Sequence, residues 1–205
     1  MSKNFYPNLE TFIKDLKVEE INEERFPLLQ AMVDFVQSRL DQDLPIQLNF
    51  ICTHNSRRSQ LAQIWAQTIS AYFGIETSCF SGGVEVTAFN ENAVKAIKAA
   101  GFKIKAMGDT NPIYEVSYSV SAVGIKAFSK KFDDVPNPSE GFAAIMTCSH
   151  ADENCPFIPG AEIRIPVRYD DPKVFDGTDL MEPKYLERSK EIATELLYVF
   201  SKIKK

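Results

Sequence analysis

One short segment contains the residue types that could bind and attack a tetrahedral anion. Cys52 is followed by five residues and then by Arg58 and Ser59, which gives the spacing Cys-x5-Arg-Ser. A loop that leaves a parallel strand for a helix presents unpaired backbone N–H groups and the positive end of the helix dipole, and both attract anions. Arg58 would add a planar fork of donors. The same positive field would hold Cys52 as a thiolate, and Ser59 could donate a hydrogen bond to it.

The same residues have a plainer interpretation, in which a buried cysteine ends a strand and two surface arginines follow it. The flanking patterns favour the loop. Residues 46–51 form a short apolar run typical of a strand, and residues 59–73 carry apolar side chains at helical spacing. A strand, a loop and a helix in this order are what an anion-binding loop requires.

A second segment contains two cysteines whose spacing is compatible with redox chemistry. Cys148 follows a buried-strand pattern at residues 142–147, and six residues separate it from Cys155. In a reducing compartment such thiols are free, bind a metal or exchange disulfides. The alternative is that the two cysteines are incidental or bind zinc with His150 or His54, although no Cys-x2-Cys knuckle is present.

A third segment offers a proton donor. Asp171 precedes Pro172 in the loop after a predicted strand at residues 163–167, and Asp170 is the competing candidate. Expelling a hydroxide, alkoxide or phenoxide is slow unless an acid supplies the proton, which is typically a ~100- to 10,000-fold effect. Asp-Asp-Pro is also an ordinary loop sequence, so the acid interpretation depends on the other two segments.

Together the three segments resemble the low-molecular-weight protein tyrosine phosphatases and their relatives, the thioredoxin-coupled arsenate reductases. The residues that carry the resemblance are 52–56, 58–60, 148–156 and 171–172. The first three of these groups resemble the reductase branch in particular, and His54 stands where that family has Gly or His. Arg57 is a less familiar residue at its position. The resemblance covers roughly residues 46–203.

The resemblance implies a role for each residue of the site. Cys52 would attack the oxyanion, Arg58 would bind it and Asp171 would protonate the leaving oxygen. Cys148 would then attack the sulfur of Cys52, and Cys155 would resolve that disulfide toward thioredoxin. The loop residues that would bind an arsenate or phosphate oxyanion are Thr53, His54, Asn55, Ser56, Arg57, Arg58 and Ser59. The resemblance implies neither a bound cofactor nor a metal ion.

Alternating strand and helix patterns predict an α/β fold of three layers, doubly wound about a central, mostly parallel sheet of four strands. Residues 1–44 show two amphipathic helical patterns and are predicted to form a helical N-terminal extension. Residues 45–205 are predicted to form the phosphatase-like or arsenate-reductase-like α/β domain. Residues 102–105 give a weak strand signal, and residues 108–139, which mix hairpin-like strand signals with loop signals, are predicted to be an insertion.

The amino-acid composition indicates a globular protein. The chain has 205 residues, of which 44% are hydrophobic, so it can bury a sizeable core and is neither disordered nor fibrous. Its formal net charge of -5 gives the surface as a whole no attraction for nucleic acid or for an anionic membrane. We expect no partner of either kind. The N-terminal segment lacks the apolar stretch of a secretory signal, and four cysteines are too few for a disulfide scaffold. These features predict a cytoplasmic protein.

The sequence therefore predicts an arsenate reductase that uses Cys52, Cys148 and Cys155 as a thiol relay recycled by thioredoxin. The alternative is a low-molecular-weight protein tyrosine phosphatase that hydrolyses phosphomonoesters through a cysteinyl-phosphate intermediate. In that case Asp171 would act as acid and then as base. A third interpretation is an oxyanion sensor or docking module whose N-terminal helices contact another protein.

Overall fold

Strands and helices alternate along most of the chain. The computed structural model describes residues 4–154 and 157–205. The helices are α1 (Pro7–Lys14), α2 (Phe26–Asp41), α3 (Arg58–Tyr72), α4 (Glu91–Ala99), α5 (Ser149–Asn154) and α6 (Met181–Ser201). The strands are β1 (Gln47–Cys52), β2 (Ser78–Gly83), β3 (Lys103–Met107), β4 (Ile113–Ser117), β5 (Ile125–Ala127), β6 (Phe142–Met146) and β7 (Ala161–Ile165). Short 3-10 helices lie at Val18–Glu20, Glu23–Arg25 and Pro172–Phe175.

Four of the strands form a central sheet in the order β2-β1-β6-β7. All three pairings in this sheet are parallel, which confirms the predicted four-stranded parallel core. Ile51 pairs with Met146 near the ends of β1 and β6. Because the two strands run in the same direction, the loops that follow them leave the same edge of the sheet. Those loops begin with Cys52 and Thr147.

The two faces of the sheet contribute to two separate hydrophobic clusters. On β1, Leu48 and Phe50 belong to the larger cluster, whereas Ile51 belongs to the smaller one. This division follows the two-residue alternation of side chains along a strand. Residues of α2, α3, α4 and α6 join the larger cluster, and Ala151 of α5 joins the smaller one. Helices therefore cover both faces, as parallel sheets require.

The two N-terminal helices share the core of the α/β unit. Leu9 and Ile13 of α1 are almost completely buried in the larger cluster, and so is Val36 of α2. Phe12 stacks on the ring of Trp65, with 5.4 Å between ring centroids. These helices are amphipathic as predicted, and their apolar faces pack on the rest of the protein.

Residues 103–127 form a second, antiparallel sheet in the order β3-β4-β5. The weak strand signal at residues 102–105 corresponds to β3, which lies in this sheet and not in the central one. The chain that follows β5 returns to the central sheet, where Gly83 donates its backbone N–H to the carbonyl oxygen of Lys130 at 2.9 Å. Among the described residues, no helix is both long enough and apolar enough to cross a membrane.

Candidate oxyanion site

The candidate nucleophile lies at the carboxyl end of β1. Cys52 is 3% exposed, and its Sγ lies 3.0 Å from Ser59 Oγ in the first turn of α3. Asn55 Nδ2 donates a hydrogen bond to the same Ser59 Oγ at 2.8 Å. Since the amide uses an acceptor position of the hydroxyl, the hydroxyl hydrogen remains available for the sulfur of Cys52. Ser59 is therefore placed to donate a hydrogen bond to the candidate nucleophile.

Asn55 holds the loop between β1 and α3 in its curved conformation. Its φ of 46° lies in the left-handed region, which Asn tolerates better than most residues. Its side-chain oxygen accepts hydrogen bonds from Gln60 Nε2 at 3.1 Å and from the backbone N–H of Lys130 at 3.0 Å. A Cβ added at Gly83 would lie 2.7 Å from the backbone nitrogen of Asn55, so the end of β2 must be glycine to pack this closely.

The loop presents backbone donors and one guanidinium. Among the described residues, the backbone N–H groups of residues 54–57 donate to no hydrogen-bond acceptor. Arg58 Nη2 donates to Asp171 Oδ2 at 2.7 Å, and Nη1 donates to the carbonyl oxygen of Tyr169 at 2.9 Å. Arg58 Nε is buried and lacks a partner within the described part of the chain. Unpaired donors beside a buried sulfur are the chemistry of an oxyanion site.

The two candidate acids, Asp170 and Asp171, differ in whether their carboxylates contact the loop. Asp171 contacts Arg58, and its Oδ1 accepts the backbone N–H of Lys173 at 3.1 Å, which caps the 3-10 helix at Pro172–Phe175. The side chain of Asp170 is 99% exposed and lies 3.6 Å from Arg188 Nη2. Asp171 is therefore the carboxylate that faces the loop.

Several side chains of the loop have partners outside it. Ser56 Oγ donates to the carbonyl oxygen of Ala88 at 2.6 Å, and His54 Nε2 lies 3.2 Å from Glu85 Oε2. Arg57 Nε donates to the hydroxyl of Tyr185 at 2.8 Å. The side chains of residues 54, 56 and 57 are therefore occupied elsewhere, and their backbone N–H groups remain without an acceptor in the described part of the chain.

A second thiol lies next to the loop. Cys148 follows β6, is 1% exposed and has its Sγ 3.4 Å from Thr53 Oγ1, the hydroxyl of the residue after Cys52. The backbone N–H of Ala151 donates to Cys148 Sγ at 3.3 Å. His150 Nδ1 lies 3.3 Å from Thr53 Oγ1. The predicted resolving residue, Cys155, lies outside the described residues.

The sequence was compared with protein families and with known proteins. No family model matches the chain. The arsenate reductase of Halalkalibacterium halodurans is 32% identical over 130 residues, which cover 63% of this chain and 76% of the relative. The arsenate reductase of Bacillus subtilis is 30% identical over 142 residues, covering 69% of this chain and 85% of the relative. The chain belongs to the arsenate reductase family. This membership confirms the resemblance inferred from the loop segments.

The solved structures agree on the fold of this arsenate reductase family member. The low-molecular-weight protein tyrosine phosphatase from T. tengcongensis superimposes with a TM-score of 0.52 at 16% sequence identity. The match covers 77% of this chain and 99% of that chain. The predicted phosphotyrosine phosphatase I-like architecture is therefore confirmed.

Sequence patterns indicated the loop but missed the residues that support it from a distance. Tyr185 and Asp176 contact Arg57, yet nothing in their local sequence distinguishes them from other polar residues of a helix and a loop. Tyr169 directly precedes the Asp-Asp-Pro motif, but its sequence position does not indicate that its carbonyl oxygen receives Arg58. The Cys-x5-Arg spacing identifies a loop, but side-chain partners more than 100 residues away leave no local signal.

The remaining described cysteine differs from the other two. Cys79 lies within β2, and burial raises the pKa of its thiol to about 12. It is therefore protonated and unreactive, as expected for a core thiol. Among residues 4–154 and 157–205, no three His, Cys, Asp or Glu side chains are grouped so that they could hold a metal ion.

Proposed function

We propose that this protein reduces arsenate to arsenite through Cys52, Cys148 and Cys155, with thioredoxin as the final reductant. The observation that carries the proposal is the place of Cys148, whose Sγ lies 3.4 Å from the hydroxyl of Thr53, the neighbour of Cys52. Hydrolysis of a phosphate ester needs one thiol. A second thiol at the mouth of the loop is what electron transfer to arsenic requires.

In the first step, the thiolate of Cys52 attacks arsenate bound by the loop amides and Arg58. A sulfur–arsenic bond forms and an arsenic–oxygen bond breaks, and Asp171 supplies the proton with which the oxygen leaves as water. Arg58 and Asp171 are in contact at 2.7 Å, which supports their acting on the same oxyanion. Ser59 stabilises Cys52 before the attack.

In the second step, the thiolate of Cys148 attacks the sulfur of Cys52. A disulfide forms, the sulfur–arsenic electron pair goes to arsenic, and arsenic leaves as arsenite, reduced by two electrons. Ala151 donates its N–H to Cys148 Sγ and fixes the position of this sulfur beside the loop. Cys155 then attacks Cys148, which frees Cys52 and leaves a Cys148–Cys155 disulfide for thioredoxin.

The test is arsenate-dependent NADPH oxidation in the presence of thioredoxin and thioredoxin reductase. We expect turnover by the wild type and none by Cys52→Ser or Cys148→Ser. Cys155→Ser should stop after one turnover with a Cys52–Cys148 disulfide, detected by mass spectrometry of peptides. Cys79→Ser is the matched control, because this buried thiol has no part in the relay. Full multiple turnover by Cys148→Ser would refute the proposal.

The second candidate function is hydrolysis of phosphomonoesters. It is supported by the pairing of Arg58 with Asp171 beside Cys52, since this set suffices for a cysteinyl-phosphate intermediate. Hydrolysis of p-nitrophenyl phosphate separates the two functions, because Cys148→Ser should keep this activity. If the wild type hydrolyses the ester rapidly and does not turn over arsenate, the phosphatase is the function.

A further inference from the structure

Arg57 links three parts of the molecule around the candidate acid. It occupies the loop position before Arg58, and its side chain is only 13% exposed. Its Nε donates to the Tyr185 hydroxyl of α6 at 2.8 Å and lies 3.9 Å from Asp171 Oδ1. Its Nη2 lies 3.7 Å from Asp176 Oδ2. Residues 171–176, here termed the acid segment, therefore have a guanidinium beside each of their terminal carboxylates.

Arg58 is shared between the acid segment and the oxyanion. Its Nη1 donates to the carbonyl oxygen of Tyr169 and its Nη2 to Asp171, while Nε has no partner among the described residues. A fork that binds an oxyanion in two places would combine Nε with Nη2, the nitrogen that contacts Asp171. When Arg58 turns to the oxyanion, Asp171 loses its 2.7 Å partner at the moment when its proton must be delivered.

Two contacts of Asp171 do not depend on Arg58. The backbone N–H of Lys173 donates to Asp171 Oδ1, and Arg57 lies beside the same oxygen. We propose that Arg57 is the positioning residue of the acid segment and keeps Asp171 directed at the leaving oxygen while Arg58 holds the oxyanion. This inference rests on the proposed function of the loop.

Tyr185 makes this arrangement rigid. It is completely buried at the start of α6, and its hydroxyl accepts from Arg57 and donates to Asp176 Oδ1 at 2.8 Å. Burial raises the pKa of Tyr185, with Asp176 acting in the same direction, so the hydroxyl keeps the proton that it donates. Because the Tyr185 hydroxyl already fixes the Arg57 guanidinium, Arg57 loses little conformational freedom when it becomes the main cationic partner of Asp171.

The test is a double-mutant cycle of Arg57→Gln and Asp171→Asn. The cycle is measured on arsenate turnover and on hydrolysis of phenyl phosphate and p-nitrophenyl phosphate. Arg57→Gln should lower kcat for phenyl phosphate about tenfold but only two- to threefold for p-nitrophenyl phosphate, whose leaving group needs less protonation. Inhibition by inorganic phosphate should change less than about twofold, because the oxyanion ligands are intact. In the Asp171→Asn background, Arg57→Gln should have no further effect on either reaction.

Two further variants separate positioning from a general structural role. Arg57→Lys should recover part of the loss, since it restores the charge, and Tyr185→Phe should reproduce the leaving-group dependence of Arg57→Gln. Arg188→Gln is the matched control, because it removes a guanidinium that pairs with Asp170 and Glu191, whereas the partners of Asp171 are Arg57, Arg58 and the N–H of Lys173. It should not alter the ratio of the two ester activities.

Equal losses on the two esters, additive losses in the cycle, or phosphate inhibition that weakens with kcat would overturn the role of Arg57 and leave the proposed function standing. A wild type that is not inhibited by phosphate and turns over neither arsenate nor ester would overturn both. If the wild type reduces arsenate but does not hydrolyse the esters, the double-mutant cycle of Arg57→Gln and Asp171→Asn is measured on arsenate turnover alone.

Discussion

At the scale of single residues, the candidate site depends on buried polar side chains whose hydrogen bonds fix their orientation. Asn55 and Ser59 are completely buried, and each has hydrogen bonds that orient it toward the loop. Together they direct the Ser59 hydroxyl toward the sulfur of Cys52. Replacing Ser59 removes one oriented donor, whereas replacing Asn55 would also disturb the curve of the loop.

Ser59→Ala should lower kcat for arsenate about tenfold, because a hydrogen bond to a charged group contributes roughly 1.5–3 kcal/mol. Ser70→Ala is the control, since Ser70 is also buried on α3 and donates to the carbonyl oxygen of Gln67, away from Cys52. The measurement is steady-state turnover together with the melting temperature of each variant. Equal turnover by the two variants would contradict the assigned role of Ser59.

A buried lysine next to the loop predicts how stability depends on pH. Lys130 is 4% exposed, and burial lowers the pKa of its amine to about 8, with its Nζ 4.6 Å from the centre of the Phe128 ring. Between about pH 8 and the ordinary lysine value near 10.5, the unfolded state binds more protons than the folded state. The free energy of unfolding should therefore rise with pH in this interval.

Lys130→Met should remove this dependence and stabilise the protein at pH 7, because no charge then has to be buried. Urea unfolding of wild type and variant at pH 7, 8, 9 and 10 measures the effect. Lys126→Met, at an exposed lysine nearby in sequence, is the control. The difference in stability between Lys130→Met and wild type should shrink as the pH rises. A constant difference would show that the amine is charged throughout.

At the scale of secondary structure elements, α5 borders the candidate site and is an obstacle to the proposed relay. The six residues of α5 separate Cys148 from Cys155 in the sequence, and six residues of α-helix advance the chain by about 9 Å. The proposed disulfide between these cysteines requires their Cα atoms to lie within about 7 Å of each other. Asp152 in the middle of α5 is almost completely buried and forms ion pairs with Arg164 and Arg168. These ion pairs hold α5 against β7 and the chain that follows it.

Asp152→Asn should loosen α5 and accelerate formation of the Cys148–Cys155 disulfide. Hydrogen exchange of residues 149–154 should become faster, and the single-turnover rate of the second thiol transfer should rise a few-fold. Glu153→Gln is the control, because this exposed side chain is only 4.0 Å from Arg168 and contributes little. Faster exchange with slower thiol transfer would indicate that an ordered α5 is needed for the transfer.

How far the sequence predicts the structure differs between these elements. The apolar run of β1 and the helical spacing of α3 predicted the strand–loop–helix unit, because both patterns are local. The partners of α5 were not predictable, since Arg164 and Arg168 are recognisable as its anchors only after β7 lies beside β6. The antiparallel pairing of β3 with β4 was likewise missed, because a short polar strand gives no signal for the sheet to which it belongs.

At the scale of the whole molecule, the N-terminal helices are connected to the candidate site through one ion pair. Arg25 Nε and Nη2 donate to the two carboxylate oxygens of Glu195 at 2.6 and 2.8 Å. Glu195 accepts the hydroxyl of Tyr169, whose burial raises its pKa well above the ordinary value, so that it remains a donor. The carbonyl oxygen of Tyr169 in turn receives Arg58. The N-terminal segment thus supports the residue that positions Arg58.

Arg25→Ala should destabilise the protein by about 3 kcal/mol, because Glu195 would be left as a buried charge without its cation. Lys14→Ala removes an exposed pair with Glu10 and should change stability by no more than about 0.5 kcal/mol. Urea unfolding measures both, and the double variant Arg25→Met/Glu195→Gln should regain much of the loss. Equal effects of Arg25→Ala and Lys14→Ala would show that the N-terminal segment does not support the core.

The hydrophobic pattern of the N-terminal helices indicated that one face is buried, but not which surface covers it. Leu9 and Ile13 could have faced a partner protein equally well from sequence alone. The packing of Phe12 on Trp65 joins residues 53 positions apart, and such contacts depend on the complete fold.

The pairing of Ile51 with Met146 has a consequence for protein engineering. Because backbone hydrogen bonds set the offset between β1 and β6, Cys148, two positions after the paired Met146, lies beside Thr53, the neighbour of Cys52. Under the proposed relay, a hydrolase with this sheet and these loops could receive a second thiol at that position and acquire the first electron-transfer step. Repeated turnover would also need a resolving thiol, so two added cysteines would separate a catalyst of hydrolysis from a catalyst of reduction.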